Sequence, residues 1–333
     1  MANPKHSSGY RLGIVNPLTL VGEEVKSILR ARAFPSAKIS LFDSTGQSGG
    51  ALTQVGDEPA FVAPLSRDEL EDLDLVFFCG PAEANRDWLT SVDDLGFVGI
   101  DLSQPSTAED GKLVVAGINL ENVDADDRLI VSPHPAAIPI ALILHELANL
   151  SPIELCTATV VQPASEFGQA GVEELARQTL SILNVQSVPQ QIFDRQLAFN
   201  LYPAPEGNEE FVIGQVRALT SPRIEIALLI TQGTIFHGHT FSLFVRMKKA
   251  PGLDRIHEQL RRNPALALPE GDQSFGTVDA AGKDEVLIAE VRLDRAISNG
   301  LWIWAVCDNL RRSSALNAVL IAEKALFGTG MTN

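Results

Sequence analysis

The chain carries three cysteines, Cys79, Cys156 and Cys307, and six histidines. A thiolate is the side chain best suited to take an acyl group near neutral pH, and a nearby histidine can move the proton. The cysteines lie far apart and form no CxxC pair, which excludes a zinc knuckle and a disulfide framework. No metal site is expected. Cys79 and Cys156 sit inside apolar runs, where a thiol packs as a small hydrophobe. His134 stands between Pro133 and Pro135; it reads either as a loop histidine or as a nucleophile or base. His239, directly after Gly238, is a second acid–base candidate. Asp43 ends an apolar run, where a carboxylate can accept from a ribose 2′-OH and repel a 2′-phosphate; a surface turn aspartate is the alternative.

Such groups need a scaffold to bring them together. Arg11 to Val15 reads as a short strand, Asn16 to Thr19 breaks it, and Val21, Val25, Ile28 and Leu29 recur at helical spacing. Phe34-Pro35 stops the helix and Lys38 to Phe42 reads as the next strand, completing a βαβ unit. Two further apolar runs, Leu73 to Cys79 and Gly96 to Leu102, extend it into an open parallel sheet of the nucleotide-binding type. From about Ile153 the texture changes. Strands are expected at Glu154–Val161, Glu225–Gln232, Thr240–Met247, Glu285–Leu293 and Leu301–Cys307. A helix over Gly171–Leu183 is expected to bury Val172, Leu175, Ala176, Thr179, Leu180 and Leu183. Long strands with connections of other kinds indicate an α+β second domain on a mixed or antiparallel sheet. A closing helix spans Arg311 to Leu326, and Glu209-Glu210 reads as a solvated acidic turn.

The length of 333 residues favours two domains. The net charge of −16 argues against nucleic-acid and membrane-surface partners, because an acidic chain repels phosphate backbones and anionic headgroups. The apolar run Ala136–Leu144, interrupted by Pro139, is too short for a bilayer, and Met1 to Tyr10 lacks the apolar core of a signal peptide. A cytoplasmic protein is expected.

Asp308-Asn-Leu-Arg-Arg-Ser-Ser-Ala-Leu-Asn-Ala318 resembles the Asp-Asn-Leu-Arg-Lys-Gly-Ala-Ala-Leu-Asn signature of the aspartate-semialdehyde dehydrogenase family. Gln162 and Gly168 with the following helix, Ala198 to Pro203, and Gly238-His239 are similar to further landmarks of that family in the expected order, across nearly the whole chain. The resemblance implies an α/β fold: a Rossmann-type nucleotide-binding domain, then an α+β dimerisation and catalytic-type domain like the C-terminal domain of glyceraldehyde-3-phosphate dehydrogenases. The first is placed at 1–133, with the C-terminal helix 311–328 returning to it, and the second at 134–310. A homodimer is implied; a further protein partner is left unidentified.

The family's reaction is NADPH-dependent reductive dephosphorylation of aspartyl phosphate through a cysteine thioester. The resemblance places Pro135 where that cysteine should stand, and proline supplies neither a nucleophile nor an N–H. Gln162 and His239 occupy the positions of the family's active-site glutamine and acid–base histidine. Gln232 aligns with the arginine that grips the substrate carboxylate, and a neutral amide cannot reproduce a bidentate guanidinium clamp. The phosphate-binding cations are missing as well: Gln104 to Thr107 and Val212 stand in their place. Of the family's Gly-x-x-Gly-x-x-Gly loop only Gly22 survives, in a packing role, within Asn16-Pro-Leu-Thr-Leu-Val-Gly22. Residues that would line any cofactor are Gly22, Asp43, Cys79, Gly168 and Asn309. Glu166 replaces a glycine and would set a carboxylate near phosphates. No cofactor is expected, and NAD rather than NADP if one binds. The resemblance is to a degenerate homologue of the type related to USG-1 proteins, without the parent activity and acting as a scaffold or regulator. Two alternatives stand beside it. One is a dehydrogenase with non-covalent hydride transfer, using His239 as base and Gln162 to position the substrate. The other is a metabolite sensor using Gln162, Asn119 and His239.

Overall fold

The structure is a computed structural model describing residues 9–104, 106–204, 208–271 and 273–328. The chain forms two compact units, one running to His134 and resuming at Ser314, the other spanning Pro135–Ser313.

The first unit is built on an eight-stranded sheet. Its strands are β1 (Tyr10–Val15), β2 (Ser36–Asp43), β3 (Leu52–Val55), β4 (Glu58–Pro64), β5 (Leu75–Phe78), β6 (Val98–Asp101), β7 (Lys112–Leu113) and β8 (Leu129–Val131). They lie in the order β3-β4-β2-β1-β5-β6-β8-β7, parallel throughout except for the β3–β4 hairpin. Leu75 to Phe78 is entirely buried, as a strand covered on both faces must be. The β3–β4 hairpin is absent from the sequence reading. It lies at the sheet edge and leaves Leu52 and Phe61 largely exposed, so it shows no buried periodicity.

Helix α1 (Leu20–Ala31) starts at Thr19, whose Oγ1 accepts from the Gly22 N–H at 3.1 Å. A Cβ on Gly22 would stand 2.7 Å from the Asn16 carbonyl oxygen, so only glycine permits this approach of helix to loop. Helix α2 (Ala82–Leu89) follows β5. The closing segment begins with a π-turn, Arg311–Ala315, and continues as a helix over Leu316–Phe327. That helix shares a core with Val25, Ile28 and Leu29 of α1, and Arg32 forms a bidentate pair with Glu323 at 2.6 and 2.9 Å.

The second unit holds a seven-stranded mixed sheet in the order β10-β11-β9-β12-β15-β14-β13. The strands are β9 (Ile153–Gln162), β10 (Leu201–Pro203), β11 (Glu225–Gly233), β12 (His239–Met247), β13 (Leu266–Ala267), β14 (Val286–Leu293) and β15 (Gly300–Cys307). Helix α3 (Ala137–Ala148) is buried along almost its whole length. Pro139 does not interrupt it, because the first four N–H groups of a helix have no intrahelical acceptor. The longer helices that follow are α4 (Gly168–Leu183), α5 (Glu209–Leu219) and α6 (Leu253–Arg261).

Two expectations are corrected here. Glu209 and Glu210 open α5 rather than forming a turn, and Glu209 accepts from the Ile230 N–H at 3.2 Å; carboxylates suit a helix N-terminus. On α4 the buried stripe is Gly171, Glu174, Leu175 and Gln178, whereas Leu180 and Leu183 are 59% and 68% exposed. Glu174 turns inward because it accepts from the N–H groups of Gln191, Ile192 and Phe193. Gln178 accepts from Leu197 and Ala198 in the same way. The loop between α4 and β10 is held by these two side chains, a job that hydrophobic periodicity does not announce. Among the described residues no helix is long and apolar enough to cross a membrane.

Candidate functional site

In an open parallel sheet, ligands bind beyond the strand C-termini where the strand order turns, here between β1 and β5. Asn16 occupies this place, with φ of 55° and 4% exposure. Its Nδ2 donates to the Cys79 carbonyl at 2.8 Å and to Ser44 Oγ at 2.9 Å, while its Oδ1 accepts from the Ser44 N–H at 3.1 Å. Asn85 Nδ2 donates to the same Cys79 carbonyl, and Ser44 Oγ donates to Asn85 Oδ1, both at 2.8 Å. The network ties the ends of β1, β2 and β5 together. Gly80, at φ +87°, is packed against Asn16 so tightly that a Cβ would come within 2.9 Å of it.

The other groups of this unit are similarly engaged. Asp43 is 4% exposed. One of its oxygens accepts from Thr45 N–H and Oγ1 at 2.9 and 2.6 Å, the other from the N–H groups of Ser48 and Gly49 at 2.7 and 2.9 Å. Against the cost of burial, these four donors hold its carboxyl down at about 2. The Cys79 thiol is fully buried and pushed well up, by burial first and then by the Asp101 carboxylate. Asn119 is bonded to Val115 and Leu113 of its own turn. His134 is buried, and burial lowers it to about 4, so its imidazole is neutral at physiological pH.

In the second unit the register aligns four side chains in one row. Gln232 on β11 pairs with Gln162 on β9, and His239 on β12 pairs with Cys307 on β15. Thr240 opposite Val161 places His239 alongside Gln162. Paired residues share a face, so the row Gln232–Gln162–His239–Cys307 points to one side of the sheet. Gln162 Nε2 donates to Gln232 Oε1 at 2.9 Å, and Gln232 Nε2 donates to the Gln162 carbonyl at 3.2 Å. Glu166, on the turn before α4, brings Oε1 to 3.4 Å from His239 Nε2. Asn309 Nδ2 donates to the same Glu166 oxygen at 3.0 Å, and Asn309 Oδ1 accepts from the Gly238 N–H at 2.8 Å. Burial pushes the Glu166 carboxyl up to about 7, with the Asn309 bond pulling the other way. Glu166 thus accepts a hydrogen bond from Asn309 and lies beside the His239 ring. Gly168 opens α4 at φ +64°.

Cys156 and Cys307 are fully buried and burial pushes both thiols up to about 12. Cys307 Sγ lies 2.9 Å from Ser313 Oγ. Pro135 is buried in the turn before α3. The signature residue Asp308 accepts from Leu310 and Arg311 N–H groups and from Gly282 N–H, fixing its own loop. Sequence reasoning missed Asn16, Ser44 and Asn85. The one available signal was a polar residue, Asn16, between a buried strand and a proline. Among the described residues no group of three or more His, Cys, Asp or Glu is placed to hold a metal.

Comparison with known proteins agrees with this architecture. The profile described as semialdehyde dehydrogenase, NAD binding domain, matches residues 12–126, and that described as semialdehyde dehydrogenase, dimerisation domain, matches residues 144–312. A USG-1 protein homolog from Azotobacter vinelandii is 30% identical over 330 residues, covering 95% of this chain and 98% of its own. An aspartate-semialdehyde dehydrogenase from Aquifex aeolicus is 27% identical over 331 residues, covering 95% and 97%. The structure of a probable aspartate-semialdehyde dehydrogenase from Pseudomonas aeruginosa superposes with a TM-score of 0.89 at 27% identity, covering 95% of this chain and 98% of that one. With a Rossmann-like unit, a mixed-sheet unit and matches along nearly its full length, the chain belongs to the semialdehyde dehydrogenase family.

Proposed function

We propose that this chain has left the thiol chemistry of its family and serves as a dimeric scaffold or regulatory protein. The observation that carries the reading is the state of its thiols. Each of the three cysteines is buried, with its thiol pushed up, so the thiolate population near neutral pH is negligible. The resemblance puts Pro135 at the nucleophile position, and acyl transfer to this protein then has no acceptor sulfur.

The cofactor crevice supports the same conclusion. A dinucleotide diphosphate needs free N–H groups at a helix N-terminus and room above the strand ends. Here Thr19 caps α1, Pro17 offers no N–H, and Asn16 fills the turning point. Asp43 already has its acceptor sites filled by its own loop. These residues do not fit a dinucleotide, which weighs against the non-covalent hydride-transfer alternative. The matched dimerisation profile supports a homodimer, and three unpaired thiols suit a reducing, cytoplasmic compartment. The partly exposed pair Gln162 and Glu166 favours one second reading, a metabolite sensor. Calorimetric titration with NAD and NADP at millimolar cofactor, together with sedimentation equilibrium, tests the proposal. The expected result is a dimer that binds neither; binding of NAD or NADP in the micromolar range revives the redox reading.

A further inference from the structure

Arg86, Leu89, Thr90 and Asp93 recur at intervals of three and four residues along α2 and the one-turn helix Val92–Leu95 that follows it. They form one wall of a cleft of about 400 Å3, within the size range of small-molecule sites, and Ser106, Asp110 and Leu129 complete it. Every one of these residues belongs to the first unit. The apolar part of the cleft is Leu89, which shares a core with Phe78 and Phe97, and Leu129, which packs against that core. The polar part is held in place from within the chain. Ser106 donates its N–H to the buried Asp101 carboxylate at 3.2 Å, and Asp110 Oδ2 accepts from Thr107 N–H at 2.7 Å and Thr107 Oγ1 at 2.9 Å. Thr90 Oγ1 donates to the Asp87 carbonyl at 2.8 Å, which leaves its oxygen as an acceptor. The charges are what this bonding does not use. Among the described residues Asp110 Oδ1 has no partner, and Arg86 and Asp93 enter no side-chain hydrogen bond or ion pair. A guanidinium and two carboxylates thus line one cleft without pairing, which leaves room between them for a group that answers both signs.

We propose that this cleft binds a small zwitterion of the amino-acid type, its carboxylate on Arg86, its ammonium at Asp93 and Asp110, and its aliphatic part on Leu89 and Leu129. The guanidinium is a planar fork of donors that fits a carboxylate, and an ammonium carries three donors for the oxygens of Asp93, Asp110 and Thr90. A simple amine would leave Arg86 unanswered, and a simple carboxylate would meet two like charges. The cleft shares no residue with Asn16 or with the row at Gln162, so the inference is independent of the lost thiol chemistry.

The test titrates L-leucine, its decarboxylated analogue 3-methylbutylamine and its deaminated analogue 4-methylpentanoate into the full-length protein at neutral pH, read by methyl NMR shifts of Leu89 and Leu129. L-Leucine is expected to bind roughly tenfold more tightly than either analogue, the difference one charge-assisted contact makes. Arg86→Gln should weaken L-leucine about tenfold and bring it level with the amine, while Asp93→Asn should narrow its lead over the carboxylate by about threefold or more. Arg86 and Asp93 are exposed and unbonded, so both variants keep the fold. Glycyl-leucine, which sets the two charges further apart, separates two sources of this chemistry: weaker binding than L-leucine points to a free amino acid, tighter binding to a short peptide. Three probes within twofold of one another, an amine that binds more tightly than L-leucine, no shift with 50 mM L-leucine, or an unchanged preference in Arg86→Gln would each overturn the proposal.

Discussion

Asp43 gives the sharpest quantitative prediction, because its role as a loop anchor competes with the role its position suggests. Asp43→Asn keeps the size and one acceptor but turns an NH2 group toward two of the four donors that now converge on the carboxylate. The native carboxyl sits at about 2, against an ordinary 3.8, which corresponds to roughly 2.5 kcal/mol of stability at pH 7. The folded value is depressed, so this contribution is complete above the unfolded value and is lost as pH falls through the folded one. About half should remain at pH 3. The assay is denaturant unfolding of wild type and variant at pH 7, 5 and 3.5, with hydrogen exchange of a peptide spanning residues 44–49. The variant should lose about 2–3 kcal/mol at pH 7, with faster exchange at Ser48 and Gly49 and a gap that narrows toward acid. An unchanged midpoint with unchanged exchange in that loop would refute the anchor. A variant penalty independent of pH would refute the electrostatic account of it.

Buried groups set four further outcomes. Glu174→Ala removes the acceptor of three N–H groups and should cost about 2–4 kcal/mol, discounted because two of the three donors can rehydrate once the loop lifts; proteolysis within residues 185–198 should accelerate. Gln178→Ala should release the same loop, read by the same digestion, with a smaller loss because its acceptor is neutral. Native protein treated with a thiol-reactive disulfide reagent should release no chromophore over minutes and three equivalents after unfolding, since all three cysteines are buried. Pro135→Cys should not restore acyl-phosphate reduction if, as proposed, Gln232 stands in for the carboxylate clamp, and because Asn16 still fills the crevice; turnover within a hundredfold of an active relative would contradict this.

Much of the scaffold could be read from the residues because it follows from burial. The apolar runs at Leu75–Phe78 and Val98–Asp101 are covered on both faces, and the alternation in β9 and β15 follows one covered face. The exceptions are elements whose stability comes from polar contacts. The inward faces of Glu174 and Gln178 depend on main-chain donors in a loop many residues away, so a helical-periodicity argument assigns Leu180 and Leu183 to the core instead. The edge hairpin β3–β4 exposes its largest apolar residues and leaves no pattern to read.

The candidate site divides along the same line. Gln162, Gln232 and His239 could be singled out by position, but that they lie in one row depends on strand register, which spans residues 70 or more apart. Glu166 was expected near phosphates, yet its partners His239 and Asn309 emerge only from the folded unit. Asn16 is the clearest case. In the sequence it is a lost glycine; in the fold it is a polar plug bonded to the ends of two neighbouring strands.

The central claim, that this family member has no sulfur able to take an acyl group, is tested most directly by phosphate-dependent oxidation of aspartate semialdehyde. Purified protein at micromolar concentration, supplied with phosphate and either NADP or NAD, should produce no reduced cofactor above a protein-free blank. Phosphate-dependent production of reduced cofactor that scales with protein and is abolished by a thiol reagent would contradict the account.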